Sequence, residues 1–291
     1  MDRYQRQRFE FKYIIPEDKA LAVRDFVSAY LVIDEFGARF PDLSYPVHTL
    51  YLDSDRLTTY MATINGDKNR YKLRIRYYQS DGDSPVFFEI KRRNDNVISK
   101  VRCRVRRPSV TPLLDGRAPS TDDLVEPSAR EREKLEQFCL LLRDIDARPR
   151  SQVSYKREAW LPTTDNSVRV TMDRQVHTGP DPGARMSTSV EGLPLVFGDQ
   201  VILELKFTNR FPDWLREMVR VFQLVQVSAA KYVEGVIVLG EETLMPGGTD
   251  ALVAMDENPA GTARRLYQRH ENFRKLPQGS TPLAASTPWN G

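Results

Sequence analysis

Cations recur at alternate positions along three successive stretches of the chain: Lys72, Arg74 and Arg76; Glu89, Lys91 and Arg93; Lys100, Arg102, Arg104 and Arg106. A period of two puts each set on one face of a β-strand. An ordinary solvated sheet face mixes charges with Thr, Ser and Gln, whereas these positions are nearly all cationic. Like charges directly across a strand pair repel each other, so such a face is unfavourable unless an anion compensates it. The acids on the same pattern are sparse, one to a strand: Glu10, Glu89, Asp173 and Glu204. Lys and Arg at this density suit a polyanion, because guanidinium–phosphate contacts are bidentate and orienting. The carboxylates are hard oxygen donors of the kind that Mg²⁺ or Mn²⁺ takes while bridging phosphate oxygens. His48, His177 and His270 lie far apart in sequence and form no metal-ligand spacing, which fits surface or core roles.

Other phosphate devices are missing. The chain has no G-x-x-x-x-G-K-[ST] loop and no G-x-G-x-x-G turn. It also lacks a G-x-S-x-G elbow, a kinase signature set and H-E-x-x-H.

The elements that must position these residues follow from the same alternation. Strands are expected at 8–15 (RFEFKYII), 47–53, 70–78, 85–93, 97–106, 151–161, 167–173 and 201–207, with 70–106 forming a three-stranded meander. Opposite the cations run Tyr71, Leu73, Ile75 and Tyr77, then Phe88 and Ile90, then Val101, Cys103 and Val105. With Tyr71, Tyr77 and Phe88 on that side, base stacking on the basic face is not expected. Helices are expected from Pro16 to about Tyr30, with Leu21, Val23, Phe26, Val27 and Tyr30 apolar, and over about 54–64. Two more are expected at about 128–144, along Leu135, Phe138, Cys139 and Leu142, and at about 212–229, along Trp214, Leu215, Met218, Val221, Phe222 and Val225. Segments 108–127 and 178–200 read as loops. The pattern as a whole suits a barrel with an apolar, helix-covered outside and a charged lumen.

With 291 residues, 40% hydrophobic and 29% charged, the chain can bury a core without staples. No apolar run reaches the roughly 20 residues of a membrane helix, and the N-terminus shows no signal-peptide core. Cys103 and Cys139 make neither a metal motif nor a disulfide framework, so a cytoplasmic location is expected. The net charge of +3 is too small to imply a partner by itself.

The ordered set FEFKY, YKLRIRYY, FFEIKRR, SKVRCRV, YKREAW, VRVTMD, LELKF and AAKYVEG, over about residues 5 to 240, resembles the VTC domain. That is the polyphosphate polymerase domain of the triphosphate tunnel metalloenzyme (CYTH-like) superfamily. The resemblance implies an α+β fold: an eight-stranded antiparallel β-barrel, the triphosphate tunnel, with helices packed outside. Residues 1–241 would form it, with 242–291 as a flexible C-terminal tail in which a short helix at 262–275 has room to form. It implies transfer of the γ-phosphate of ATP onto a growing inorganic polyphosphate chain with Mn²⁺ or Mg²⁺. Lys12, Arg74, Arg76, Lys91, Arg157, Arg169 and Lys231 would act on the triphosphate. Lys72, Glu89, Lys100, Arg102, Arg104 and Lys206 would contact substrate or product. Glu204 matches the family's metal-binding glutamate, with Glu10 beside it.

The partners implied are ATP and polyphosphate, no nucleic acid, and no transmembrane segment, although a membrane partner protein fits the domain's eukaryotic setting. The wider superfamily opens its first strand with E-x-E-x-K. Here Arg8 gives R-x-E-x-K, which disfavours hydrolysis. The alternatives are a triphosphatase or nucleotide cyclase on the same tunnel, a non-catalytic polyanion-binding module, and a basic sheet with no ligand.

Overall fold

The computed structural model describes residues 8–95, 97–165, 167–208 and 210–246. The expected helix at 262–275, His270 and nearly all of the expected tail lie outside them. The strands are β1 (Arg8–Ile15), β2 (Val32–Ile33), β3 (Tyr45–Asp53), β4 (Asn69–Tyr77), β5 (Val86–Asn94), β6 (Val97–Val105), β7 (Arg148–Leu161), β8 (Val168–Pro180) and β9 (Val201–Thr208). They form one antiparallel sheet in the order β1-β9-β8-β7-β3-β4-β5-β6, with β2 paired to β7.

The expected closed eight-stranded barrel is corrected here: the sheet has nine strands and does not close. β1 and β6 approach within 8 Å between Cα atoms, but no ladder joins them. The exposed edge of β6 carries Lys100, Arg102 and Arg104. Pairing it with the strand that holds Lys12 would set cations side by side, and cation-lined edges resist pairing. The seam is spanned by a side-chain contact instead, Lys91 Nζ on β5 to Glu10 Oε2 on β1 at 3.3 Å. The sheet is therefore a deep trough.

Helices α1 (Glu17–Ser28), α2 (Thr58–Ile64), α3 (Val110–Leu114), α4 (Ala129–Asp144), α5 (Asp213–Val221), α6 (Lys231–Leu239) and α7 (Glu241–Leu244) complete the chain. The outer face is apolar and helix-covered, as its alternation requires. α4, capped by the Ser128 hydroxyl accepting from the Glu131 N–H, lays Leu135, Phe138, Cys139 and Leu142 on Phe88, Ile90 and Cys103. α1 and α5 cover the outer faces of β1, β8 and β9 through Val23, Val27, Leu215 and Met218. Within α1 the buried stripe is Ala20, Val23 and Val27, whereas Leu21 and Tyr30 are exposed. α5 stops at Val221 rather than near 229, because Gln223 takes a left-handed φ of 50°. Val221 and Val225 are consequently exposed. Part of segment 108–127 is helical, as α3, and β8 runs on to Pro180.

Sequence reading leaves α6 out. It lies inside the trough, with Tyr232, Val233 and Val236 against Tyr51, Val153 and Ile202. Gly235 permits this close approach, since a Cβ there would stand 2.9 Å from Thr178 Oγ1. The lumen is thus apolar and filled along one stretch and charged along the other. Among the described residues no helix is long and apolar enough to cross a membrane.

Candidate active site

The charged stretch has two walls. On the first, strand register does the placing: Lys12 lies opposite Glu204 and Glu10 opposite Lys206. Arg169 faces Lys206 and Thr171 faces Glu204, while Arg157 faces Asp173. The chain after α5 then runs along β1, its Val227 N–H donating to the Lys12 carbonyl at 2.9 Å. This brings Lys231, the first residue of α6, down onto the carboxylates. Lys231 Nζ lies 2.6 Å from Asp173 Oδ2 and 3.1 Å from Glu204 Oε1. Arg157 holds Asp173 with two hydrogen bonds of 2.7 Å and sits 3.6 Å from Glu204. Lys206 donates to Glu204, and Lys12 lies 3.7 Å from Glu204 and 3.2 Å from Glu10.

On the second wall, cations face each other directly across strands. Lys72, Lys91 and Lys100 form one row, and Arg74, Glu89 and Arg102 the next. Glu89, fully buried, receives Arg74 at 2.7 Å, Arg102 at 3.2 Å and Lys100 at 3.6 Å. Lys72 donates to Thr63 Oγ1 on α2. Arg76, 8% exposed, reaches Tyr155 Oη at 3.4 Å, and its Nε has no hydrogen-bond partner.

Charges here are strongly perturbed. Burial alone would raise Glu204, but Lys206, Lys231, Lys12 and Arg157 hold it well below the carboxylate range. Asp173 is held down against burial by Arg157 and Lys231, and Glu10 by Lys91 and Lys12. The lysines diverge. Against burial, Lys12 and Lys231 are raised by their carboxylates. Burial, with Arg70 and Lys91 nearby, pushes Lys72 down to about 7. Burial also pushes Lys100 and Lys206 down to about 8.

A bound polyanion would restore charge to these three lysines, so binding should take up protons and weaken as pH rises from about 6.5 to about 9. Calorimetric titration of inorganic tripolyphosphate near pH 8 in two buffers of different ionisation enthalpy checks this. Affinity independent of pH, or proton release, would contradict it.

The structure thus brings together Glu10, Lys12, Arg157, Glu204, Lys206 and Lys231 on one wall, with Lys91 reaching Glu10 from the other. It places Lys72, Arg74, Arg76, Glu89, Lys100 and Arg102 on the other. Arg169 sits further out, bound to Asp34 at 3.3 Å. Arg104 turns to the rim and pairs with the exposed Glu126 at 2.9 Å. His48 and His177 bond instead to Ser154 Oγ and the Leu193 carbonyl. Asp173, expected only as one of the sparse strand carboxylates, joins the first wall through Arg157 and Lys231, and the aromatics were not expected there. Tyr51 and Tyr155 lie among the cations, the Tyr155 ring centroid 5.2 Å from the Arg157 guanidinium and 5.1 Å from Lys231 Nζ. Phe87 shares the face of Glu89 and Lys91, between Arg76 and Arg104. The alternation that placed Glu89 and Lys91 would have placed Phe87 as well.

The carboxylates also bear on a divalent cation. Among the described residues no three His, Cys, Asp or Glu side chains converge as a metal cage. Glu204 and Glu10, which share Lys12 and are held ionised, are oxygen donors of the first wall. Mg²⁺-type ions bind through one or two carboxylates plus substrate phosphates, and that shared mode fits Glu204 and Glu10.

The family model described as the VTC domain matches residues 7–239. No curated protein matches the chain. Among solved structures the chain is similar to a Bacillus halodurans protein described as a candidate adenylate cyclase, at 12% identity and a TM-score of 0.43, over 77% of this chain and 94% of that one. It is also similar to the PH1819 protein of Pyrococcus horikoshii OT3, at 13% identity and a TM-score of 0.39, over 78% and 96%.

Proposed function

The chain belongs to the VTC domain family, and from that premise we propose that it transfers the γ-phosphoryl group of ATP to the end of an inorganic polyphosphate chain held in the trough. One observation carries this reading: the row Lys72–Lys91–Lys100, with Arg74 and Arg76 beside it, sets five neighbouring cations against the two carboxylates Glu10 and Glu89, a surplus of positive charge. Cations packed this closely raise the energy of the free protein, and a chain of phosphates relieves it.

Phosphoryl transfer needs positioning and charge neutralisation more than covalent help. Arg74 and Arg76 would meet phosphate oxygens from one side. Lys12, Arg157 and Lys231 meet them from the other. A divalent cation held by Glu204 and Glu10 would supply charge neutralisation at the transferring phosphoryl group. The acceptor is a terminal phosphate, already nucleophilic near neutral pH, so no general base is required of the protein. α6 and the Tyr51–Tyr155 aromatics fill the neighbouring stretch of lumen and keep bulk water from the phosphates, which favours transfer over hydrolysis. The buried carboxylates also favour an enzyme over a passive polyanion binder, for which Glu10, Asp173 and Glu204 would only weaken binding.

Incubation with ATP and Mn²⁺, with products resolved on a gel, tests the proposal. Long-chain polyphosphate is the expected product. Free phosphate or cyclic AMP without polymer would sink it in favour of a triphosphatase or cyclase. Polyphosphate binding without turnover would leave only a binding module.

A further inference from the structure

On the cationic face one flat surface is built from a guanidinium and an aromatic ring. The Arg102 guanidinium carbon lies 3.6 Å from the Phe87 ring centroid, a stacked cation–π contact. Its Nε lies 3.2 Å from Glu89 Oε1, close enough for an ion pair but without a hydrogen bond. Tyr78 packs edge-on against Phe87, with centroids 5.9 Å apart, and fixes the ring from a second side. Arg102 remains about one-third exposed. What it offers outward is the other face of a planar, weakly hydrated cation backed by an aromatic ring and ion-paired to a buried carboxylate.

A polyphosphate chain has no planar group to lay on such a surface, but a nucleobase does. Arg102 stands two strands from Arg74, by way of Glu89. Two strand spacings are roughly 10 Å, a separation that a ribose and an α-phosphate span.

We propose that Arg102, backed by Phe87 and ion-paired to Glu89, is the stacking platform for the base of a nucleoside triphosphate whose phosphates lie toward Arg74 and Arg76. The assignment rests on the triphosphate reading of the trough. It makes Arg102 a base-binding residue rather than a phosphate ligand, and the trough a site that tells ATP from inorganic tripolyphosphate. Stacking tolerates every base, so discrimination among nucleoside triphosphates should be modest.

The test compares the affinities of ATP and inorganic tripolyphosphate by calorimetry on the full chain. Arg102→Lys keeps the charge and loses the plane, and Phe87→Leu keeps apolar bulk and loses the backing. Both should weaken ATP about tenfold and leave tripolyphosphate unchanged, while Phe87→Tyr should retain ATP affinity. Equal loss for both ligands, or none for ATP, would overturn the platform while tripolyphosphate still binds the wild type. Failure of the wild type to bind either ligand would overturn the triphosphate reading, and the platform with it.

Discussion

Replacing Glu204 by Gln is expected to abolish metal-dependent polymer synthesis, by about 10²–10³-fold or more, while polyphosphate binding persists or tightens. The two effects part because Glu204 plays opposite roles toward the two. It is the acidic centre to which Lys12, Arg157, Lys206 and Lys231 all turn. As an anion it repels the phosphate chain, and in the proposed mechanism its oxygens would hold a divalent cation against the phosphates. Gln is nearly isosteric and removes only the charge. Equilibrium binding of polyphosphate beside a turnover assay separates the outcomes. Unchanged turnover would remove Glu204 from the metal role. Binding lost along with turnover would mean that the carboxylate maintains the wall rather than serving the chemistry.

Replacing Lys231 by Met is expected to lower stability by about 1.5–3 kcal/mol, the usual cost of losing a hydrogen bond to a charged group, since Arg157 and Lys206 still hold Asp173 and Glu204. Lys231 is the ammonium between Asp173, fully buried, and Glu204. Its folded-state pKa is raised, so the stability it contributes is fully present below the ordinary lysine value and is lost only at strongly alkaline pH. Asp173 and Glu204 behave oppositely. Their depressed values contribute stability above the ordinary carboxylate range, which is lost as pH falls through the folded values. Without Lys231 those values rise, so acid unfolding should begin at higher pH than in the wild type. Denaturant melts near neutral pH and at about pH 5 measure both effects. A loss below about 1 kcal/mol with an unmoved acid limb would show the carboxylates to be satisfied without α6.

The eight main strands were legible because a half-buried strand writes its two faces at period two. The same rule placed Lys72, Arg74, Arg76, Glu89 and Lys91 on one surface. α4 was legible from Ser128 and a clean apolar stripe. α6 was not: KYVEGVIVL is buried on nearly every side inside the trough, so its residues carry no 3.6-residue period to read. Closure was misjudged because alternation tells which way a side chain points and says nothing about whether two edges meet. Depth escaped for the same reason. Arg104 shares the face of Arg102 yet turns to the rim, where Glu126, distant in sequence, receives it. Asp173 looked like one more strand carboxylate until the fold put Arg157 and Lys231 on it.

The measurement that reaches the centre of the account is a structure with a non-hydrolysable ATP analogue and Mn²⁺, the metal located by anomalous scattering. The triphosphate is expected between Arg74 and Arg76 on one wall and Lys12, Arg157 and Lys231 on the other, with Mn²⁺ on Glu204 and the base against Arg102. Nucleotide bound elsewhere, with Glu204 still paired to Lys206 and Lys231, would contradict it.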